Sequence, residues 1–244
     1  MADDVWVISL GGSLVAPAEV DTRFVAQFCA LVTEQVAGHP ERKFVVVCGG
    51  GDPARRYQAA YRAVAERPSE AAEDWVGIAA TRLNAELIKQ LFAGLAPGEV
   101  VTDPTTVTGM DAPVLVAAGW KPGFSHDYDA AIIAERLSAA HIVKLSSVGM
   151  IYSADPRTDP AAEAYDRMSW TALRRLAGDR WSPGHHAPFD PIATAHCAAL
   201  GITLVVTGGD LANLRRVIDG ESFSGTTVAP DHSPPGARAA PARN

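Results

Sequence analysis

The 244-residue chain has no apolar run longer than five or six residues, Phe44-Val45-Val46-Val47-Cys48 being typical. A membrane-spanning helix needs roughly 20 such residues, so none is expected. Positive charge is scarce: 21 Lys and Arg stand against 28 Asp and Glu, a net charge of -7. Nucleic-acid surfaces need clustered Lys and Arg, so no nucleic-acid partner is expected. A small phosphorylated ligand stays compatible, because a few backbone N–H groups and one arginine can hold it locally. Cysteine is rare as well. Cys29, Cys48 and Cys197 lie far apart without metal-ligand spacing and read as buried thiols in a reducing cytoplasm. The acidic start Met1-Ala2-Asp3-Asp4 runs straight into a strand-like segment, which argues against a cleaved secretory signal.

What is present is an alternation of short β-rich runs and longer helical stretches. Strands are expected at Val5–Leu10, Phe44–Cys48, Glu99–Thr102, Val114–Ala118, His141–Leu145, Ile202–Thr207 and Thr226–Val228. Helices are expected at Thr22–Val36, from Asp52-Pro53 to about Val64, Glu70–Phe92, Asp127–Ala139, Thr171–Leu176, Pro191–Leu200 and Leu211–Ile218. Continuous apolar strands separated by helices imply a mostly parallel central sheet buried on both faces, a three-layer αβα sandwich. Residues 1–229 read as one domain. The Pro-, Ala- and Arg-rich segment 230–244 has little to bury and reads as a disordered tail.

Ligands of open α/β sheets bind at the carboxyl ends of strands. Glycines stand there three times: Gly11-Gly12-Ser13, Gly49-Gly50-Gly51, and Gly119 through Gly123. Glycine lets backbone approach an anion closely, and a helix starting just beyond adds N–H donors. One such turn can be purely steric; three in one domain point to a multi-phosphate site. Neither G-x-x-x-x-G-K-[ST] nor G-x-G-x-x-G describes Gly49-Gly50-Gly51-Asp52-Pro53-Ala54-Arg55, so a P-loop or dinucleotide fold is not supported. Arg55 and Arg56, on the first turn after the triple glycine, can reach a phosphate held over it or form a solvated surface pair.

These residues resemble the amino acid kinase superfamily. Val7-Ile8-Ser9-Leu10-Gly11-Gly12-Ser13 is similar to its first-strand signature. Val45–Tyr57 with its triple glycine and Asp74–Ala85 resemble the uridylate (UMP) kinase branch. So do Gly119-Trp120-Lys121-Pro122-Gly123-Phe124-Ser125-His126-Asp127, Ile151-Tyr152-Ser153-Ala154-Asp155-Pro156-Arg157 and Phe189-Asp190-Pro191-Ile192-Ala193. The blocks follow family order over about residues 5–228, ending in Ser224-Gly225-Thr226-Thr227-Val228, and the first-strand motif without a lysine resembles the archaeal type.

The resemblance implies transfer of a phosphoryl group from ATP to UMP, with the acceptor bound by the N-terminal part and ATP by the part after about residue 140. It places Gly12, Ser13 and Gly51 at the ATP phosphates and Ser146, Ser147, Tyr152 and Asp155 around its adenosine. Gly50, Asp74 and the loop Trp120, Lys121, Pro122, Gly123, Phe124, Ser125 and His126 would hold UMP. Arg55, Asp127 and Lys121 would be the catalytic set. Mg²⁺ would be held by ATP phosphates and water, with no protein metal ligands. A cytoplasmic homo-oligomer, often a hexamer, is implied, with helices near Glu70–Phe92 at subunit contacts.

Some positions depart from the family. Thr is usual where His126 stands, and Asp-Gly where Gly149-Met150 stand. The segment Thr102–Asp111 is compressed. Lys144 reads as a strand lysine facing the cleft or as a surface lysine. His185-His186 are adjacent loop residues and unsuited to chelating one ion together. Trp75, Trp170 and Trp181 read as packing or subunit-contact residues, and Asp103, Asp111 and Asp129 as solvated carboxylates. Two other functions stay open on this scaffold: a kinase for another small phosphate, phosphonate or carboxylate, and a non-catalytic nucleotide or oxyanion binder.

Overall fold

In this computed structural model, residues 4–156, 158–178 and 188–230 are described. Arg157, Trp181, His185-His186 and the expected tail beyond Pro230 lie outside them. Strand β1 (Asp4–Leu10) leads through the single-turn helix α1 (Gly12–Val15) to α2 (Thr22–Gly38). Asp21 caps α2 by accepting from the Phe24 N–H at 2.9 Å. Strand β2 (Arg42–Cys48) runs into α3 (Gly51–Val64) and α4 (Glu70–Leu91). Then come β3 (Val114–Ala117), α5 (His126–Arg136) and β4 (His141–Leu145). A small hairpin of β5 (Ile151–Tyr152) and β6 (Ala164–Tyr165) precedes β7 (Arg167–Ser169), α6 (Trp170–Ala177) and α7 (Pro191–Leu200). Strand β8 (Thr203–Thr207), α8 (Leu211–Ile218) and β9 (Thr226–Ala229) complete the described elements.

The seven-stranded sheet has the order β3-β2-β1-β4-β8-β9-β7. Every neighbouring pair is parallel except β8 with β9. Side chains alternate between two apolar cores. Ile8, Leu10, Val46, Val143 and Leu145 pack with α2, α4 and α8 on one face. Val7, Val45, Val47 and Ile142 pack with α5, α6 and α7 on the other. Burial on both faces explains why these strands are continuous apolar runs instead of alternating ones.

The expected strand at Glu99–Thr102 does not form. Only Val101 makes a β-bridge, to Ala117. One bridge satisfies Val101 while the chain turns at once into the short 3₁₀ turn Pro104–Thr106, whose Asp103 cap fixes the Thr105 N–H at 2.9 Å. Helix α5 stops at Arg136, short of the expected Ala139, because Ser138 takes a positive φ of 53°.

Candidate active site

The strand ends are tied into one row. Gly11 N–H donates to the Leu145 carbonyl at 2.9 Å, Gly49 N–H to the Leu10 carbonyl at 2.9 Å, and Ser146 N–H to the Thr207 carbonyl at 3.0 Å. The turns after β1, β2, β4 and β8 therefore form a continuous rim. The first two touch backbone to backbone: a Cβ at Gly12 would lie 2.5 Å from the Gly49 carbonyl oxygen and would collide with the Gly51 amide. No side chain fits there. Gly51 also needs glycine for its φ of +68°.

One face of α4 staples the rim. Asn84 Nδ2 donates to the Gly49 carbonyl at 2.8 Å, and Thr81 Oγ1 accepts from the Gly119 N–H at 2.8 Å. Asp74 Oδ2 accepts from the Gly123 N–H at 2.8 Å. Residues 74, 81 and 84 follow helical spacing, so one buried polar stripe fixes both the second turn and the Gly119–Gly123 loop. Burial pushes the Asp74 carboxyl up, partly opposed by its bond to Gly123. Arg82 donates to the Gly119 and Trp120 carbonyls at 3.2–3.4 Å. Beyond them Trp120, Phe124 and Tyr128 stack with ring centroids 5.3 and 5.0 Å apart.

Under the rim lies a buried polar cluster. Ser9 and Lys144 are direct register partners on β1 and β4. Both point to the face that α5 covers. Asp127, in the first turn of α5, accepts from Ser9 Oγ at 2.6 Å through Oδ1 and from the Lys144 ammonium through Oδ2. Burial alone would raise the Asp127 pKa, but Lys144, His126 and Ser9 more than offset it and hold the carboxyl below its ordinary range. The neighbouring His126 ring lies against Gly49, and its Nε2, closed to solvent and without a hydrogen-bond partner, stands 3.8 Å from Asp127 Oδ1. Burial lowers its pKa against the pull of Asp127, which keeps the imidazole neutral at pH 7.

Asp129, expected in solvent, is fully buried two residues further along the first turn of α5, and its carboxyl is pushed up to about 7. The cause is desolvation, which the Trp120 N–H bond at 3.2 Å does not offset and which the nearby Asp190 and Asp127 charges reinforce. Asp190 caps α7 through the Ile192 and Ala193 N–H groups at 2.7 and 2.8 Å. Its pKa is also raised by burial.

The structure thus brings together Gly12, Gly50, Gly51, Asp127 and His126, with Asp74 and Gly123 joined alongside. A Cβ on Gly50 would sit 3.3 Å from the Gly77 carbonyl of α4. Ser13 lies in α1. Ser125 caps α5 through the Tyr128 N–H at 3.3 Å, and Pro122 precedes Gly123 on the same loop. Ser146 and Ser147 follow β4; Tyr152 belongs to β5 and Asp155 to the exposed turn after it. Arg55 faces away from the cluster's interior: its side chain is 53% exposed and pairs with Asp52 at 3.4 Å, as Arg56 does at 2.6 Å. Lys121 is exposed and lies over the Trp120 ring at 3.6 Å. Sequence reasoning missed Ser9, Thr81, Arg82 and Asn84 and gave Lys144 no role. The signal for Ser9 and Lys144 was a polar side chain near the end of a strand otherwise apolar on both faces.

Fold and rim together define an α/β protein whose parallel strands end in one shared glycine-lined rim, the place where open α/β sheets bind their ligands. The profile of the Amino acid kinase family matches residues 4–208, and the chain belongs to that family. It is 35% identical to a uridylate kinase of Methanospirillum hungatei over 226 residues, 91% of this chain and 93% of that protein. With a uridylate kinase of Hyperthermus butylicus it shares 35% identity, covering 74% of this chain and 80% of the relative. The solved uridylate kinase of Archaeoglobus fulgidus superposes with a TM-score of 0.75 at 31% identity, over 92% of this chain and 99% of that one.

Proposed function

We propose that the protein is a UMP kinase, transferring the γ-phosphoryl group of ATP to UMP to give UDP and ADP. The observation that carries this reading is the contact between the Gly12 and Gly49–Gly51 turns directly above Asp127 and Lys144. Two glycine turns that touch bring two phosphate-bearing ligands end to end, the geometry an in-line transfer needs. The uridylate kinases to which the chain is similar over most of its length support the choice of acceptor.

On this reading Gly12 and Ser13 offer backbone N–H groups to the ATP phosphates, with Gly51 beside the transferring group. Ser146, Ser147, Tyr152 and Asp155 surround the adenosine. Gly50 takes the UMP phosphate, and the loop from Trp120 through His126 wraps the nucleoside. Asp74 spends Oδ2 on the Gly123 N–H and keeps Oδ1 for a ribose hydroxyl. Neutral His126 can donate one hydrogen bond to the acceptor phosphate. Arg55 and Lys121 add positive charge only if they swing from Asp52 and from the Trp120 ring. No general base is required, because the acceptor is already an ionised phosphate.

Mg²⁺ supplies charge neutralisation on the donor phosphates when bound. Among the described residues no group of three or more His, Cys, Asp or Glu stands together to hold an ion, and both oxygens of Asp127 are engaged. We therefore assign the metal to the nucleotide's phosphates and to water, as a hard cation prefers. Exposed Trp75 and Leu83 on α4 support self-association through that helix, and the three free, buried cysteines support a reducing cytoplasm. No helix among the described residues is long and apolar enough to cross a membrane.

The test is ADP formation from ATP and Mg²⁺ with UMP, CMP, carbamate or isopentenyl phosphate as acceptor. UMP-dependent turnover is expected. Turnover with another acceptor and none with UMP overturns the assignment.

A further inference from the structure

We infer that Lys144 is a catalytic residue: its ammonium, reaching in from β4, contacts the phosphoryl group in flight, with Asp127 and Ser9 as its positioning residues. The inference rests on the UMP kinase reading and adds to it a cation that neither the first-strand motif nor the arginines after the triple glycine provide.

In the parallel β1–β4 pair, Ser9 stands opposite Lys144, one residue before Leu10 and Leu145, whose carbonyls receive the Gly49 and Gly11 N–H groups. The lysine therefore rises from the row directly beneath the two glycine turns. A first strand without a lysine leaves a short hydroxyl at this place, and the neighbouring strand fills the space with a long cationic side chain. Asp127 binds both at once, which sets where the ammonium ends.

Energetics point the same way. The Lys144 side chain is 12% exposed and that of Asp127 5%. Taking two charges out of water costs several kcal/mol per ion, and an apolar replacement of such a pair is often neutral or stabilising. Folding alone therefore gives little reason to keep this charged pair in place of an apolar one. Asp127 engages one of its three N–H donors, and no other acceptor for them occurs among the described residues. The Phe189 ring 5.5 Å away walls the ammonium on one side and offers no hydrogen-bond acceptor. Two donors are left for a ligand oxygen.

The competing cations are committed elsewhere. Arg55 and Arg56 share Asp52, Lys121 covers Trp120, and Arg82 holds two loop carbonyls. In the transfer, the bond from the γ-phosphorus to the β,γ-bridging oxygen breaks. A bond from that phosphorus to a UMP phosphate oxygen forms. ATP⁴⁻ and UMP²⁻ give ADP³⁻ and UDP³⁻, so charge balances without any proton transfer. Lys144 stays protonated throughout and acts as a point charge on the equatorial oxygens.

The experiment compares wild type with Lys144→Met and Lys144→Arg. It measures UDP formation, ATP and UMP binding by calorimetry, and thermal melting. The Met variant leaves the buried Asp127 carboxylate without its counter-ion and should melt below wild type, yet bind both nucleotides within about threefold. Its kcat should fall by about 10²–10³, the usual loss for one preorganised transition-state donor. The Arg variant should recover at least about tenfold over Met. A Met variant with kcat near wild type overturns the inference, as does a loss of kcat matched by equal loss of nucleotide binding. If the Met variant does not fold, the Arg variant decides: folded with the charge retained but no turnover above background, it too overturns the assignment. A wild type that forms no UDP is the distinct result that removes the kinase reading and the lysine's role with it.

Discussion

Asp129 offers the sharpest test of the site's electrostatics. Its carboxyl is fully buried under the Trp120 loop and its pKa lies at about 7, against 3.8 when solvated. A raised carboxyl pKa means that the folded state binds the proton more tightly than the unfolded chain. The associated stability is fully present below pH 3.8 and is lost as pH rises through about 7. At about 1.36 kcal/mol per pH unit, the loss over that window is about 4 kcal/mol. Asp129→Asn removes the titration and keeps an oxygen to accept from the Trp120 N–H. Asp74 and Asp190, also raised, and Asp127 and Asp219, held low, remain in both proteins and largely cancel in the comparison. Urea unfolding of both proteins from pH 4 to 8 gives the difference directly. The variant should gain on wild type by about 4 kcal/mol between pH 4 and 7 and then level off. A difference that stays flat with pH refutes the burial argument for this carboxylate.

Three further outcomes follow from the rim. Gly12→Ala forces a methyl into the Gly49 and Gly51 backbone and should abolish turnover, with a loss of more than about 2 kcal/mol in chemical denaturation. Asn84→Ala strands the buried Gly49 carbonyl, and we expect about 1–3 kcal/mol of destabilisation with a raised KM for UMP, read from melts and initial rates. Arg55→Ala, at a half-exposed side chain paired with Asp52, should shift stability by less than about 0.5 kcal/mol. Its kcat should fall less than that of Lys144→Met, as steady-state kinetics on both variants will show.

The fold was legible where physics leaves a period in the sequence. Phe44–Cys48 and His141–Leu145 are covered on both faces, so their runs announce strands. Asp52, which with Pro53 reads as the cap of a helix, lies instead inside the first turn of α3, whose cap is Gly50. The two-residue strands β5 and β6 carry no period and left no trace. Glu99–Thr102 looked like a strand, yet a single bridge at Val101 is all that the edge accepts. At the site, the glycine turns were readable because close approach admits no other residue. Asp129 was misread because a lone carboxylate near a helix start resembles a solvated cap. Its burial depends on the Trp120 loop folding back over α5, a contact between distant segments. Lys144 was ambiguous for the same reason: only the register with Ser9 and the arrival of Asp127 from α5 show which way its ammonium faces.

Two anionic nucleotides meeting in a single cleft is the central physical claim. A bisubstrate ligand, uridine and adenosine joined through five phosphates, tests this most directly by titration calorimetry. We expect one molecule per chain, bound at least about a hundredfold more tightly than UMP, with saturating ligand excluding both ATP and UMP. A protein that binds it no better than UMP, or that still takes up ATP once it is saturated, contradicts the account.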